Sequence, residues 1–432
     1  MRVLVVGNGA REHAIAWKIG QSPRLEKLFV APGNSGTSDF AENVTVKSDD
    51  VEGLLDFAIQ EGIDLTVVGP EIPLEAGITD QFEASGLLIF GPTKRGARIE
   101  TSKSFAKALI QRHGVPTATA SIFDDYGEAV RHVKGGSVPV VIKADGLAAG
   151  KGVIVAESHK DAVTALEALM VDRVFGNSGD RVLVEEYLDG REISVFAFVD
   201  GPRVSSLVAA CDYKRIGDGD TGSNTGGMGA YSPPIPELWN PDLERLVMED
   251  IMIPVAQALA EDSSPYRGVL FAGLMVTDDG PKVIEFNCRF GDPEAQVVLR
   301  RLENDLLEAM IATAEGRLED LCLEWDNRSA VAVVIASGGY PESYETGQPI
   351  TGLNNLDDGV VAFHAGTSNS SGQRVTDGGR VLTVTSLANS VEDARYLAYA
   401  NVNRIKFEGS YYRTDIAAPE QYGIAEKNLR GK

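Results

Sequence analysis

Val283-Ile284-Glu285-Phe286-Asn287-Cys288-Arg289-Phe290-Gly291-Asp292-Pro293-Glu294 is the stretch on which the reading of this chain turns. Val283 to Asn287 alternates as a strand, so Glu285 and Asn287 fall on one face and Ile284 and Phe286 on the other. A carboxylate and an amide oxygen then stand side by side, with the Arg289 guanidinium two residues further on. Two hard oxygens beside a guanidinium suit Mg²⁺ holding a phosphate chain, because Mg²⁺ keeps several waters and takes few protein ligands. An isolated Glu-x-Asn is more often the wet face of an antiparallel strand. What accompanies it decides between the two.

The 432 residues are too many for one ordinary core and predict roughly three domains. A net charge of −23 argues against nucleic acid, since a phosphate-backbone binder needs a basic face. A protein this acidic that handles phosphates must gather its Lys and Arg in one site. Cys211, Cys288 and Cys322 are odd in number and far apart, which indicates neither a disulfide framework nor a zinc site. The chain opens on a strand at Arg2 with no charged leader, and no segment reaches the ~20 apolar residues of a membrane span. A reducing cytoplasm is the expected home.

Strands alternate with helices over the first hundred or so residues: Val3–Val6, Ala10–Ile19, Lys27–Val30, Val51–Glu61, Leu65–Val68 and Leu87–Phe90. That order predicts a parallel sheet covered on both faces. Thr101 or Ser102 caps a helix that Gly114 and Pro116 end. From about 117 to 325 the pattern is β-rich with scattered helices, an α+β unit. A third region begins near Arg328 and closes on an amphipathic helix, Val391–Ile405.

Gly7-Asn8-Gly9-Ala10-Arg11-Glu12 sits where a dinucleotide fingerprint would, but Glu12 replaces the third glycine and no acidic residue follows the second strand. The pattern leaves open a lone-phosphate site at the helix N-terminus and a mere tight turn. Lys143 to Gly152 crosses three glycines between two strands and carries two lysines; it is not a Walker A loop. It is either a flexible hairpin or a concavity of N–H groups over a polyphosphate. Gly217 to Ala230 holds six glycines and resembles a calcium loop only at its start, because Gly222 and Gly229 stand where oxygen ligands are needed. Such a loop is either disordered or a lid. The five histidines share no metal-ligand spacing, and no nucleophile elbow is present. The chemistry is that of phosphate positioning without a covalent nucleophile.

Together these segments resemble the ATP-grasp ligases, and within them the branch that joins glycine to a phosphoribosylamine in purine synthesis. The resemblance is carried by 3–13, 143–152, 218–231, 284–294 and 363–367, in order over nearly the whole chain. It implies an α/β and α+β multidomain fold. An N-terminal Rossmann-like parallel-sheet domain would span 1–101, and a two-lobed ATP-grasp core 102–325 with a mobile lobe at roughly 117–188. A small C-terminal mixed α/β domain would span 326–432.

The resemblance also implies roles for residues. ATP would be met at its phosphates by Lys103, Lys143, Asp145, Gly146, Gly150, Lys151 and Gly152, and at its adenosine by Glu185, Glu186, Leu188 and Glu192. Glu285 and Asn287 would hold Mg²⁺ or Mn²⁺. Phosphoribosylamine would lie against Gly9, Asn34, Thr37 and Glu71. Asp212, Lys214 and Arg289, with Gly226, Gly227 and Met228, would approach glycine and the reacting phosphoryl group. The implied partners are small molecules, with no nucleic acid or membrane and a monomer as working unit. In one respect the chain departs from many ATP-grasp relatives: Val269–Thr277 supplies no second acidic metal ligand. A dehydrogenase, suggested by Gly7-x-Gly9, and a non-catalytic nucleotide-binding module are the rival classes; another ATP-grasp carboxylate–amine ligase is the nearest alternative.

Overall fold

A computed structural model describes residues 1–147, 152–262 and 265–418. Its first sheet has five parallel strands, in the order Glu42–Asn43, Lys27–Pro32, Arg2–Gly7, Leu65–Val68, Ile89–Phe90. Val3–Val6 and Leu65–Val68 are buried along their whole length, as apolar runs are when helices cover both faces. Helices Ala10–Ile19 and Val51–Glu61 provide that cover; the second is capped by Asp50, which accepts from Gly53 N, and ends on left-handed Gly62. The strand order reverses beside Arg2–Gly7. A crevice therefore opens at the carboxyl ends of Arg2–Gly7 and Leu65–Val68, where Gly9 and Glu71 sit.

A second, antiparallel sheet runs Ala120–Phe123, Val182–Glu186, Val140–Ala144, Val153–Ala156. It has its own small core of Val133, Ile142, Leu166, Leu169 and Val184, separate from the two larger clusters of the molecule. An element with its own core can move as a unit.

The central sheet is antiparallel and runs Gly280–Asn287, Arg267–Thr277, Arg191–Asp200, Val208–Asp212, Gly229–Ser232, Ser329–Ala336, Arg380–Ala388, Val361–His364. The C-terminal strands thus continue the sheet of the preceding region through the pairing of Gly229–Ser232 with Ser329–Ala336. Helix Val391–Val402 packs on Ser329–Ala336 and Arg380–Ala388. Among the described residues no helix is long and apolar enough to cross a membrane.

The strand Gly280–Asn287 departs from simple alternation. Gly273 pairs with Glu285 but Leu274 pairs with Val283, so Ile284 is an extra residue in the ladder. This bulge flips the parity: Val283 and Phe286 are both buried and Ile284 is half-exposed, contrary to the expected shared face for Ile284 and Phe286. Glu285 and Asn287 remain together, opposite Phe286.

Candidate active site

Three lysines converge where the second sheet faces the central one. Glu185, buried on Val182–Glu186, takes Lys107 Nζ at 3.0 Å on one oxygen and Lys143 Nζ at 2.8 Å on the other. Lys143 Nζ also donates at 2.9 Å to the carbonyl of Ile284, the residue the bulge displaces. One side chain thereby ties the smaller lobe to the strand bearing Glu285 and Asn287. Lys103 Nζ donates to Gly146 O at 2.9 Å, and burial lowers its pKa. Asp145 accepts from Ser104 N at 3.1 Å and from the hydroxyls of Ser102 and Ser104, so its carboxylate sits at the N-terminus of helix Lys103–Arg112. Gly152 closes the glycine-rich hairpin by accepting from Ala144 N at 2.9 Å. Gly150 and Lys151 lie outside the described residues. Glu186 is exposed and accepts from Thr119 N, and Leu188 is half-buried at the end of the lobe.

Glu285 is the focus of the charge. Burial pushes its carboxyl up, yet Lys214, Lys143, Lys103 and Arg289 together hold it below the usual carboxylate range. Four cations around one carboxylate make a poor site for a bare dication. They make a good one for a dication already carrying a triphosphate, whose negative charge the same cations meet. Asn287 Oδ1 stands beside it and receives Arg289 Nη2 at 3.2 Å. Among the described residues no group of three or more His, Cys, Asp or Glu forms a metal cage, so the donor set fits Mg²⁺ or Mn²⁺ shared with phosphate oxygens. Arg289 is held at 2.7 Å by Glu100 and at 3.4 Å by Glu71. Burial works against its charge, and those two carboxylates outweigh the burial.

Lys214 pairs with Glu192, which accordingly faces a lysine rather than open space. Burial pushes the Asp212 carboxyl well up, with Lys214 opposing and Glu294 and Glu192 adding. The Glu294 carboxyl is raised by burial as well and accepts from Ser194 Oγ at 3.2 Å. The adjoining glycine-rich segment forms a hairpin tied to residues 413–415. Arg215–Gly217 pairs with Thr221–Asn224 as a hairpin turning on left-handed Gly219. Asp218 accepts from Thr414 N, Asp415 from Gly219 N, and Arg413 pairs with Asp220. Asp218 and Asp220 are thus engaged by protein partners. Arg380 then donates to the carbonyls of Gly226 and Asp292, both at 2.7 Å. Gly226 is exposed, whereas Met228 is wholly buried with its N–H on Tyr213 O and its carbonyl on Val334 N.

The N-terminal crevice also differs from expectation. The Gly9 N–H donates to Glu12 Oε2 at 2.7 Å instead of standing free for a phosphate. A Cβ at Gly7, Gly9 or Gly69 would overlap the Glu12 side chain, so the glycines make room for that carboxylate and not for a pyrophosphate. Asn34 Nδ2 donates to Asn8 O and His364 O, both at 2.8 Å, and its Oδ1 accepts from Gly36 N and Thr37 N. Thr37 is fully buried and bonded to Asn34 and Asn43. Asn34 lines a cavity of about 270 Å³ between 33–43 and 365–369, with its polar atoms already engaged, and Thr37 lies behind it. Glu71 lies in the crevice; burial raises its carboxyl, and Arg289 and Arg11 bring it below the usual range.

Sequence reasoning missed Lys107, Glu100, Glu294 and Arg380. Each acts through a partner far along the chain, and no local motif marks them. The β-bulge was equally invisible.

Two lobes closing on buried lysines, with a carboxylate–amide pair on the facing strand, define the ATP-grasp class of enzymes. The phosphoribosylglycinamide synthetase N domain matches residues 1–100, its ATP-grasp (A) domain 101–295 and its C domain 330–419. A phosphoribosylamine–glycine ligase of Halalkalibacterium halodurans is 49% identical over 99% of this chain and 98% of its own. One from Caldanaerobacter subterraneus subsp. tengcongensis is also 49% identical, over 97% and 100%. The crystal structure of the Thermotoga maritima phosphoribosylamine–glycine ligase superposes with a TM-score of 0.84 at 32% identity, covering 96% of this chain and all of that one. Biotin carboxylase from Campylobacter jejuni shares the fold at 17% identity and a TM-score of 0.74. The chain belongs to the phosphoribosylglycinamide synthetase family.

Proposed function

We infer that this protein ligates glycine to 5-phosphoribosylamine at the expense of ATP, giving glycinamide ribonucleotide, ADP and phosphate in purine biosynthesis. The observation that carries the reading is the convergence of Lys103, Lys143, Lys214 and Arg289 on Glu285, beside Asn287. Such a set is built for a metal-bound triphosphate and a phosphoryl group in transit.

Lys143 and Lys103, with the glycine-rich segment 145–152, take the phosphates, and Glu185 fixes Lys143 in its rotamer. Glu186, Leu188 and Glu192 border the adenosine. Glu285 and Asn287 would hold Mg²⁺ or Mn²⁺, which would supply positive charge to offset that of the triphosphate. A glycine carboxylate oxygen, oriented by Arg289, attacks the γ-phosphorus; the new O–P bond forms as the bond to the β-phosphate oxygen breaks and ADP leaves. Lys214 stays protonated beside Glu192 and Asp212 and neutralises the phosphoryl oxygens in flight. The phosphoribosylamine nitrogen, held from the crevice of Gly9 and Glu71, then attacks the acyl carbon. The amide forms, inorganic phosphate leaves, and the amine gives up a proton. Gly226 and Gly227, steadied by Arg380, bring backbone groups close to the reacting centre.

A monomer is the proposed working unit, and three unpaired cysteines support a reducing cytoplasm. The test is product formation: glycinamide ribonucleotide identified by mass after incubation with ATP, Mg²⁺, glycine and freshly made phosphoribosylamine. Absence of that product with all four present rejects the reading.

A further inference from the structure

We propose that Glu100 is a positioning residue for the ligation, acting through Arg289. The proposal rests on the ligase reading above, in which Arg289 meets the glycine carboxylate.

Glu100 lies on helix Lys94–Thr101, outside the lobes that hold ATP, and is 8% exposed. Its two oxygens divide their work. One accepts from Arg289 Nη2 at 2.7 Å; the other accepts from Cys288 N at 2.8 Å and faces Cys288 Sγ at 3.1 Å. A single carboxylate thus grips both the backbone just past the metal-binding pair and the side chain that follows. A guanidinium on three rotatable carbons has many orientations, and a lone ion pair to Glu71 at 3.4 Å would leave it free to swing. With Glu100 in place, the same Nη2 that donates to Glu100 also donates to Asn287 Oδ1. The angle of the guanidinium is therefore locked to the position of the amide assigned to the metal. Arg289 Nε faces Glu71 at 3.4 Å and Nη1 makes one hydrogen bond, to Phe290 O, so an Nη1 donor remains for a substrate carboxylate.

The arrangement is costly to build, which argues against an incidental contact. Burial pushes the Glu100 carboxyl upward, and it keeps its place through Arg289 and the Cys288 N–H. Glutamine is the informative replacement. Its amide keeps the volume and one acceptor, so it can serve Cys288 N or Arg289 but not both.

The experiment compares wild type, Glu100→Gln, Glu100→Asp and Cys288→Ser in steady-state kinetics with each substrate varied, alongside thermal melting. The first variant is expected to lose at least tenfold in kcat and to raise the KM for glycine. Its KM for ATP should stay within twofold and its melting temperature close to wild type. Aspartate keeps both acceptors on a shorter arm and should recover part of the loss; Cys288→Ser should be near wild type. A double-mutant cycle with Arg289→Lys should show the Glu100→Gln loss shrinking severalfold once Arg289 is gone. Equal losses in both backgrounds, or a fall in melting temperature with kcat unchanged, would overturn the proposal. A wild-type enzyme that fails to form the product would instead reject the ligase reading, so the two failures are told apart.

Discussion

Acid should unfasten the joint between the N-terminal region and the C-terminal strands, because two buried histidines there are held neutral. His13 Nδ1 accepts from His364 N at 2.9 Å, and His364 Nδ1 lies 3.0 Å from Thr367 Oγ1, which itself accepts from Ser35 Oγ. His13 therefore uses an unprotonated nitrogen, and protonation there would break that bond; His364 is buried beside it among polar groups of the same chain. Burial, with Arg374 nearby, lowers His364 from 6.5 to about 4. Burial and His364 lower His13 in the same direction. The unfolded chain takes up a proton near the ordinary histidine value while folded His364 does not. Its contribution to stability is complete above pH 6.5, declines as the pH falls through the interval down to about 4, and is flat below. Across the whole interval that is about 3 kcal/mol, and between pH 7 and pH 5 about 2 kcal/mol. Chemical denaturation of wild type and His364→Asn at both pH values isolates it, since packing losses are common to both. The wild-type advantage should shrink by about 2 kcal/mol at pH 5. An advantage that is unchanged or larger at pH 5 would refute the assignment of a neutral, desolvated imidazole.

Glu285→Gln keeps the side-chain volume and removes the carboxylate on which four cations converge, so the Mg²⁺ concentration for half-maximal rate should rise at least tenfold while melting moves little; a normal rate at low Mg²⁺ contradicts this. Gly227 has φ +111° and a Cβ there would sit 2.4 Å from Pro293 Cδ, so Gly227→Ala should destabilise by about 2 kcal/mol or more and slow turnover, read by melting and initial rates. Asn34→Ala deletes four internal hydrogen bonds and strands the buried carbonyls and amides they served, so about 2–4 kcal/mol of stability should go, together with phosphoribosylamine affinity. A selective change in KM with unaltered melting would show that Asn34 serves the substrate directly.

Much of the fold was legible because it is written locally. The alternation of strand and helix gave the parallel sheet. Ser102, one of the two caps expected, starts helix Lys103–Arg112 with its side chain accepting from Phe105 N, and the helices expected at Val51 and Val391 start there. The carboxylate–amide pair was visible because two residues separate side chains onto one strand face. What was hidden lies in the ladder and in long-range pairs. Nothing in 283–287 announces that Ile284 is bulged, since the bulge is a property of its pairing with Arg267–Thr277. Lys107 reads as an ordinary helix lysine until Glu185, far along the chain, is folded against it. The glycine-rich segment 217–229 looked mobile because glycine density measures freedom; its restraint comes from 413–415, nearly two hundred residues away. Gly7 and Gly9 left open a phosphate site or a tight turn, and what they accommodate, with Gly69, is Glu12.

The central claim is that one site couples ATP cleavage to both glycine and phosphoribosylamine. Measuring ADP release by purified protein with Mg²⁺ and ATP, while omitting glycine and freshly made phosphoribosylamine in turn, tests it most directly. Rapid release with both present and only slow release when either is missing is the predicted result. Equal release without glycine, or none when all substrates are supplied, would contradict it.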